Sequence, residues 1–228
     1  MNPGEAFFRQ VRSADAGGYV LLGWEFAGVV VEIGDSVQGV EIGDRVFGTG
    51  DLTRDGAYAE RLAVDHRIIA KLPDAIPFDQ AASLPVGAIT ASGAMFRDQG
   101  TLPPSVGTVL IVGGAGAVGS LAVQLLKATT SVFVIATGSR PESRAWCEKM
   151  GADLVVGHGS DIAGQLAAAN VLEIDMLLST AATADNLAWI SKVLRPYGHV
   201  AFTDVVSPLD VGPMGPLGAK SPSLQSSF

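Results

Sequence analysis

Gly114-Ala115-Gly116-Ala117-Val118-Gly119 is the stretch that decides how this chain is read. It fits the spacing G-x-G-x-x-G, which is weak evidence alone. Its setting strengthens it: the predicted strand Val106–Gly113 runs directly into it, and it opens the predicted helix Gly116–Ala128. Glycines at this spacing permit a tight turn and let backbone N–H groups approach an anion. The partial positive charge at the helix start then favours a pyrophosphate there. A glycine-rich turn with no ligand is the bland alternative, and the pattern downstream argues against it.

Downstream, strands and helices alternate: strand Val132–Ala136, helix Glu142–Met150, strand Leu154–Val156, helix Ile162–Ala169, strand Ile174–Ser179, helix Ala184–Leu194 and strand Val200–Thr203. That alternation predicts an α/β fold, a doubly wound parallel sheet of the Rossmann type, over residues 98–205. Upstream, Phe26–Ile33, Arg45–Gly48, Tyr58–Val64 and Ile68–Lys71 are short β-rich runs separated by Gly/Asp turns, which predict a small barrel or sandwich. From Pro77 the apolar period becomes helical, broken once at Pro85. Residues 1–97 therefore form a β-rich domain with a linking helix. Residues 206–228, rich in Pro, Gly and Ser, form a tail without a closing element.

The end of the second strand of the α/β domain discriminates between nicotinamide cofactors. NAD-binding domains place Asp or Glu there to bond the ribose 2′-hydroxyl. This chain has Thr137-Gly138-Ser139-Arg140 instead. No carboxylate repels a 2′-phosphate, the Ser139 hydroxyl can donate to one, and Arg140 offers a cationic fork. NADP(H) is expected over NAD(H). The alternative is that Arg140 merely precedes a helix and faces solvent. Ser179 and Thr180, at the end of a later strand where ligands of such sheets bind, are candidates for the nicotinamide ribose.

Composition narrows the function classes. A net charge of −8 argues against nucleic-acid binding, which needs cationic surface. One cysteine in 228 residues cannot close an internal disulfide. The N-terminus lacks the basic start and apolar run of a secretory signal. The apolar stretch Val109–Leu126 is interrupted by glycines, so strand, turn and helix explain it better than a membrane span. A soluble, cytoplasmic protein is expected.

Several ordered segments resemble the medium-chain dehydrogenases/reductases, close to the zinc-type alcohol-dehydrogenase-like and quinone oxidoreductase subgroup. Gly23-Trp24-Glu25-Phe26-Ala27-Gly28-Val29-Val30 resembles their G-H-E-x-x-G-x-V segment. Gly43-Asp44-Arg45-Val46 resembles G-D-x-V, Gly56-Ala57-Tyr58-Ala59-Glu60 resembles G-x-x-A-E, and Ala82-Ser83-Leu84-Pro85 with Thr90-Ala91 resembles A-x-L-P-x-x-x-x-T-A. The resemblance implies a GroES-like catalytic domain beside the Rossmann domain. It does not imply zinc, because Trp24 stands where the ligand His is usual, and Cys147 lies in a predicted helix. His66, His158 and His199 show no metal spacing.

The resemblance further implies hydride transfer from NADPH to a quinone or an α,β-unsaturated carbonyl. Asn2-Pro3-Gly4-Glu5 is similar to the N-P-x-D segment of quinone reductases, making Asn2 a candidate polar contact with Glu5 in place of Asp. Tyr58 is a candidate donor, its setting equally explained by strand packing. Thr90 is carried over as a nicotinamide-side contact, with a hydroxyl bonded to its own helix as the alternative. The chain starts at the N-P-x-D segment and stops at Phe228, just beyond Lys220-Ser221-Pro222-Ser223-Leu224, which resembles the K-S-x-S-L strand. A partial GroES-like domain with an uncovered apolar face is therefore expected, with a last Rossmann strand placed beyond that segment. A homo-oligomer or pairing with a full-length relative would complete it. The competing expectation to an active reductase is a catalytically impaired NADP(H)-binding module or truncated paralogue.

Overall fold

The computed structural model describes residues 2–51, 53–96, 100–159, 161–204 and 220–226. It divides into two compact units, Met1–Gly87 and Ala88–Phe228. The boundary expected at residue 97 lies outside the described residues.

The first unit opens with a helix the sequence reading did not anticipate, α1 (Pro3–Val11). Its start is written locally. Asn2 is the N-cap, Pro3 supplies a preset φ at the first helical position, and the Glu5 carboxylate reaches back to the Asn2 N–H. Strands β1 (Glu25–Val29), β2 (Arg45–Thr49) and β3 (Ile69–Lys71) pair antiparallel in that order. Arg45 fixes the exit of this sheet. Its guanidinium donates to the carbonyls of Asp74 and Ile76, both at 2.7 Å, and stacks 4.5 Å from the Phe78 ring. Helix α2 (Phe78–Ala81) follows, and α3 (Pro85–Met95) begins at the proline expected to break the period, since proline suits a first helical position.

Two expectations for this unit are corrected. Tyr58–Val64 is not a strand. Gly56, Ala57 and Tyr58 donate backbone bonds to Leu21, Gly23 and Leu22, but Ala59 N–H then folds back to the Ala57 carbonyl and ends the pairing. The strand expected over Phe26–Ile33 stops at Val29, because Val30 exchanges hydrogen bonds with the turn at Gly43 and Asp44. One apolar face stands open among the described residues: a hollow of about 1010 Å³ is lined by Phe26, Val31, Val46 and Leu62, among others.

The second unit is the doubly wound sheet. Strands β4 (Thr108–Val112), β5 (Phe133–Thr137), β6 (Leu154–Val156), β7 (Ile174–Ser179), β8 (Leu194–Phe202) and β9 (Ser223–Ser226) lie in the order β6-β5-β4-β7-β8-β9, every neighbouring pair parallel. Helices α4 (Ala117–Thr129), α5 (Pro141–Lys149), α6 (Ile162–Ala168) and α7 (Thr183–Val193) cross between them. Central strands read as near-continuous apolar runs because both faces are covered, Asp175 of β7 being paired with Arg195. Val109 and Ile111 pack with Ala122, Val123 and Leu126 of α4, whereas Leu110 and Val112 pack with Leu166 of α6 and Ile190 of α7.

The expected tail is corrected as well. Ser223–Ser226 pairs with His199–Phe202 and is itself the sixth strand of the sheet, so part of the stretch expected as a tail belongs to the doubly wound unit. Pro222 precedes the first ladder residue and removes no donor from the strand, as a proline at such a position should. Residues 205–219 of that stretch lie outside the described residues.

Candidate functional site

The strand order reverses between β4 and β7, and ligands of open α/β sheets bind outside the carboxyl ends of the strands at such a point. Gly113–Gly119 leaves β4 at that end. Gly113 holds φ +80°, a left-handed conformation, and a Cβ there would lie 2.3 Å from Thr180 Oγ1. Gly119 lets α4 sit on the loop: a Cβ would lie 2.2 Å from the Gly113 carbonyl oxygen. The first turn of α4 has no side-chain cap, since its N-cap is Gly116, and no acidic residue. The N–H groups of Ala117, Val118 and Gly119 therefore lack intrahelical acceptors and suit an anion.

The end of β5 adds cationic character. Ser139 is exposed, and its oxygen accepts the His158 N–H at 2.9 Å, leaving the hydroxyl proton to donate elsewhere. Arg140 is exposed at the N-cap of α5, and its guanidinium donates no hydrogen bond and joins no ion pair among the described residues. Sequence reasoning missed Arg144, one helical turn on, which is half-buried and donates to the carbonyls of Gly138 (3.3 Å) and Val155 (2.7 Å). A signal existed in its spacing, four residues after Arg140 on the same helix face. His158 was also missed. The residue is largely exposed, yet partial desolvation of the ring lowers its pKa.

Three expected cofactor contacts serve the fold instead. Thr137 is fully buried, and its Oγ1 accepts the Gly113 N–H at 2.9 Å. Ser179 is also fully buried, its hydroxyl in a cluster with Thr183, which in turn bonds the Asp204 carboxylate. Thr180 donates its hydroxyl to the Val112 carbonyl at 2.8 Å, tying the ends of β4 and β7 together. Thr90 is half-buried on α3, with its interactions already made.

The first unit holds a separate polar cluster around Asn2. Glu5 is 3% exposed, and its carboxylate accepts from the Asn2 N–H, from Asn2 Nδ2 at 3.2 Å and from the Trp24 N–H at 2.9 Å. Those bonds replace the lost hydration of a buried charge. Glu25 accepts from Asn2 Nδ2 at 2.8 Å and from the Val86 N–H at 2.8 Å. Carboxylates only accept, so the Asn2 amide turns Nδ2 toward both acids, and its donor is engaged by them. The Tyr58 phenol is raised by desolvation, then by the charge of Glu5 and the hydrogen bond to it, then by Glu25. The signal for Glu5 was its place three residues after an N-cap Asn; Glu25 stood beside Trp24 and was passed over.

Trp24 packs on α1. Its ring meets Phe8 edge-on at 5.3 Å and lies 2.4 Å from where a Gly4 Cβ would be. Among the described residues no three His, Cys, Asp or Glu side chains converge as metal ligands, and no helix is long and apolar enough to cross a membrane.

Comparison with known proteins is consistent with both units. The family pattern described as alcohol dehydrogenase GroES-like domain matches residues 4–74, and that described as zinc-binding dehydrogenase matches residues 117–228. A zinc-type alcohol dehydrogenase-like protein of Staphylococcus aureus is 35% identical over 204 residues, covering 88% of this chain and 60% of the relative. An NADPH-dependent alkenal/one oxidoreductase of Arabidopsis thaliana is 31% identical over 166 residues, covering 69% of this chain and 42% of its own length. Among solved structures, a protein from Rhizobium etli CFN 42 assigned as a zinc-dependent alcohol dehydrogenase superposes with TM-score 0.91 at 34% identity, covering all of this chain and 66% of that one. The quinone oxidoreductase of Pseudomonas syringae pv. Tomato DC3000 gives TM-score 0.79 at 28% identity, covering 100% and 69%. This chain spans 60% of the length of the staphylococcal relative.

Proposed function

Since this chain belongs to the medium-chain dehydrogenase/reductase superfamily, we propose that it is an NADPH-dependent, zinc-independent oxidoreductase acting on a quinone or an α,β-unsaturated carbonyl. The observation that carries the reading is the uncapped first turn of α4 beside a carboxylate-free end of β5 bearing an unpaired Arg140. These residues fit a dinucleotide: a Cβ at Gly119 would fill the space where α4 closes on its loop. The N–H groups of Ala117, Val118 and Gly119 would hold the pyrophosphate. The Ser139 hydroxyl and the Arg140 guanidinium would hold the 2′-phosphate, with Arg144 keeping their loop in place through Gly138. When bound, NADPH supplies the hydride.

A catalytic zinc does not fit the donor set. It needs three protein ligands and an open position, whereas Trp24 packs on α1 and Cys147 is fully buried on α5. A conjugated acceptor suits a metal-free site because it spreads charge into its own oxygen. The alkenal/one reductase and the quinone oxidoreductase among the similar proteins support that substrate class. A second reading, nucleotide binding without turnover, draws on the Asn2 amide protons already being engaged by Glu5 and Glu25.

The test is titration of the protein with NADPH and NADH, then NADPH oxidation with a small quinone and an enone. NADPH should bind more tightly, and Arg140→Ala should weaken it about 10-fold with NADH little changed, about the value of one charge-assisted contact. Turnover with either acceptor supports the reductase, and binding without turnover the second reading. A folded sample that binds neither nucleotide refutes both.

A further inference from the structure

We propose that Thr137 is a positioning residue: through its buried hydroxyl it sets the phosphate-binding loop in register with the first turn of α4. This deepens the cofactor reading above and rests on it. Thr137 is the last residue of β5, yet it contacts the loop that leaves the neighbouring strand β4. Its Oγ1 accepts the Gly113 N–H at 2.9 Å, and its main-chain carbonyl accepts the Gly114 N–H at 3.2 Å. One residue thus anchors both N–H groups at the start of the loop.

Everything beyond is built on Gly113. Its carbonyl accepts the Gly116 N–H at 2.9 Å, which forms the turn into α4. The same oxygen is the atom against which Gly119 seats the helix. On the far side Thr180 closes the space, with N–H and hydroxyl both donated to the Val112 carbonyl at 3.2 and 2.8 Å. Gly113 is clamped between two threonines, but only Thr137 satisfies its N–H. A small shift of Gly113 would carry the α4 N–H groups with it.

The hydroxyl is the needed chemistry at this position. β5 is otherwise apolar, with Val134, Ile135 and Ala136 fully covered, so valine would fit the strand as well by shape and propensity. Valine would leave the Gly113 N–H without an acceptor, and an unmade buried bond is costly. Having accepted from Gly113, the Thr137 hydroxyl keeps its proton, and His158 Nε2 lies 3.4 Å from its oxygen.

Because the loop faces the pyrophosphate common to both nucleotides, the consequence differs from that at Arg140. Thr137→Val should weaken NADPH and NADH together, by about 10-fold or more, while Thr137→Ser keeps both within about 3-fold. In nucleotide-free protein, amide hydrogen exchange at Gly113 should speed about 10-fold in Thr137→Val and stay unchanged in Thr137→Ser. A general loss of stability would not be rescued by serine or confined to this amide. Wild-type affinity with wild-type Gly113 protection in the valine variant overturns the proposal. Should that variant fail to fold, Thr137→Ser decides: loss of affinity or of Gly113 protection overturns it, and retention supports it. If wild-type protein binds neither nucleotide, the cofactor reading fails, and the exchange measurement alone still decides the role of Thr137.

Discussion

Alanine at Gly119 and at Gly116 should have opposite signatures. At Gly119 the new methyl would lie 2.2 Å from the Gly113 oxygen, 2.8 Å from Gly114 Cα and 2.9 Å from the Gly113 carbonyl carbon. All three are backbone atoms, so relief requires α4 to lift from the loop. Overpacking of this kind costs about 2–3 kcal/mol. For a chain of this size each kcal/mol lowers Tm by about 2–4 °C, giving a drop of about 4–12 °C. At Gly116 the φ is −76°, which any residue adopts, and the only neighbour within 4 Å is the Gly113 oxygen at 3.3 Å. Alanine there is a poorer N-cap by up to about 1 kcal/mol but also stiffens the unfolded chain, so Tm should move by less than about 4 °C. Its methyl would project where the backbone must approach a pyrophosphate, so NADPH affinity should fall about 10-fold or more. Differential scanning fluorimetry and nucleotide titration of the two variants supply the readouts. A Gly119→Ala protein with wild-type Tm, or a Gly116→Ala protein with wild-type affinity, would refute this assignment of roles.

Three further outcomes follow from the same geometry. Desolvation holds the His158 pKa below its unfolded value of about 6.5. The unfolded chain then binds more protons in that window, so stability should fall as pH drops from about 7 toward the lower folded value. His158→Gln should flatten Tm against pH there, and an unchanged slope would remove His158 as the cause. Burial likewise raises the Cys147 thiol, so a disulfide reagent should label it only after denaturation; prompt labelling of native protein would contradict its place under α5. Glu5→Gln replaces an acceptor-only group with an amide whose NH₂ must face N–H donors. A loss of about 2–3 kcal/mol, read as a Tm drop of about 4–12 °C, is expected, and an unaltered Tm would show the cluster to be dispensable.

The α/β unit was legible because its signals are local and mutually consistent. A four-residue apolar run such as Val109–Val112 followed by glycines and a helical period has few other solutions, and eight of its elements fall within a residue or two of the expected bounds. β9 was legible only through the resemblance of Lys220–Leu224 to the K-S-x-S-L strand; its composition alone reads as tail, and pairing with His199–Phe202 is what makes Ser223–Ser226 a strand. Helix α1 was legible and overlooked: Asn2, Pro3 and Glu5 spell a helix start, but a reading of Asn2 as a ligand contact masked it. At the site, the glycine positions and Arg140 could be read because backbone geometry and charge are properties of residue type. The hydroxyls of Thr137, Ser179 and Thr180 could not, since sequence places them at strand ends but does not say whether they face outward or back into the sheet. All three face back.

That contrast separates binding from chemistry. Around α4 and β5 the polar groups that suit a nucleotide stand unengaged among the described residues: first-turn N–H groups, the Ser139 proton and the Arg140 fork. Around Asn2 the reverse holds, because two carboxylates have already claimed the amide donor. An oxyanion is stabilised by donors aimed at it, and Asn2 Oδ1 is not one.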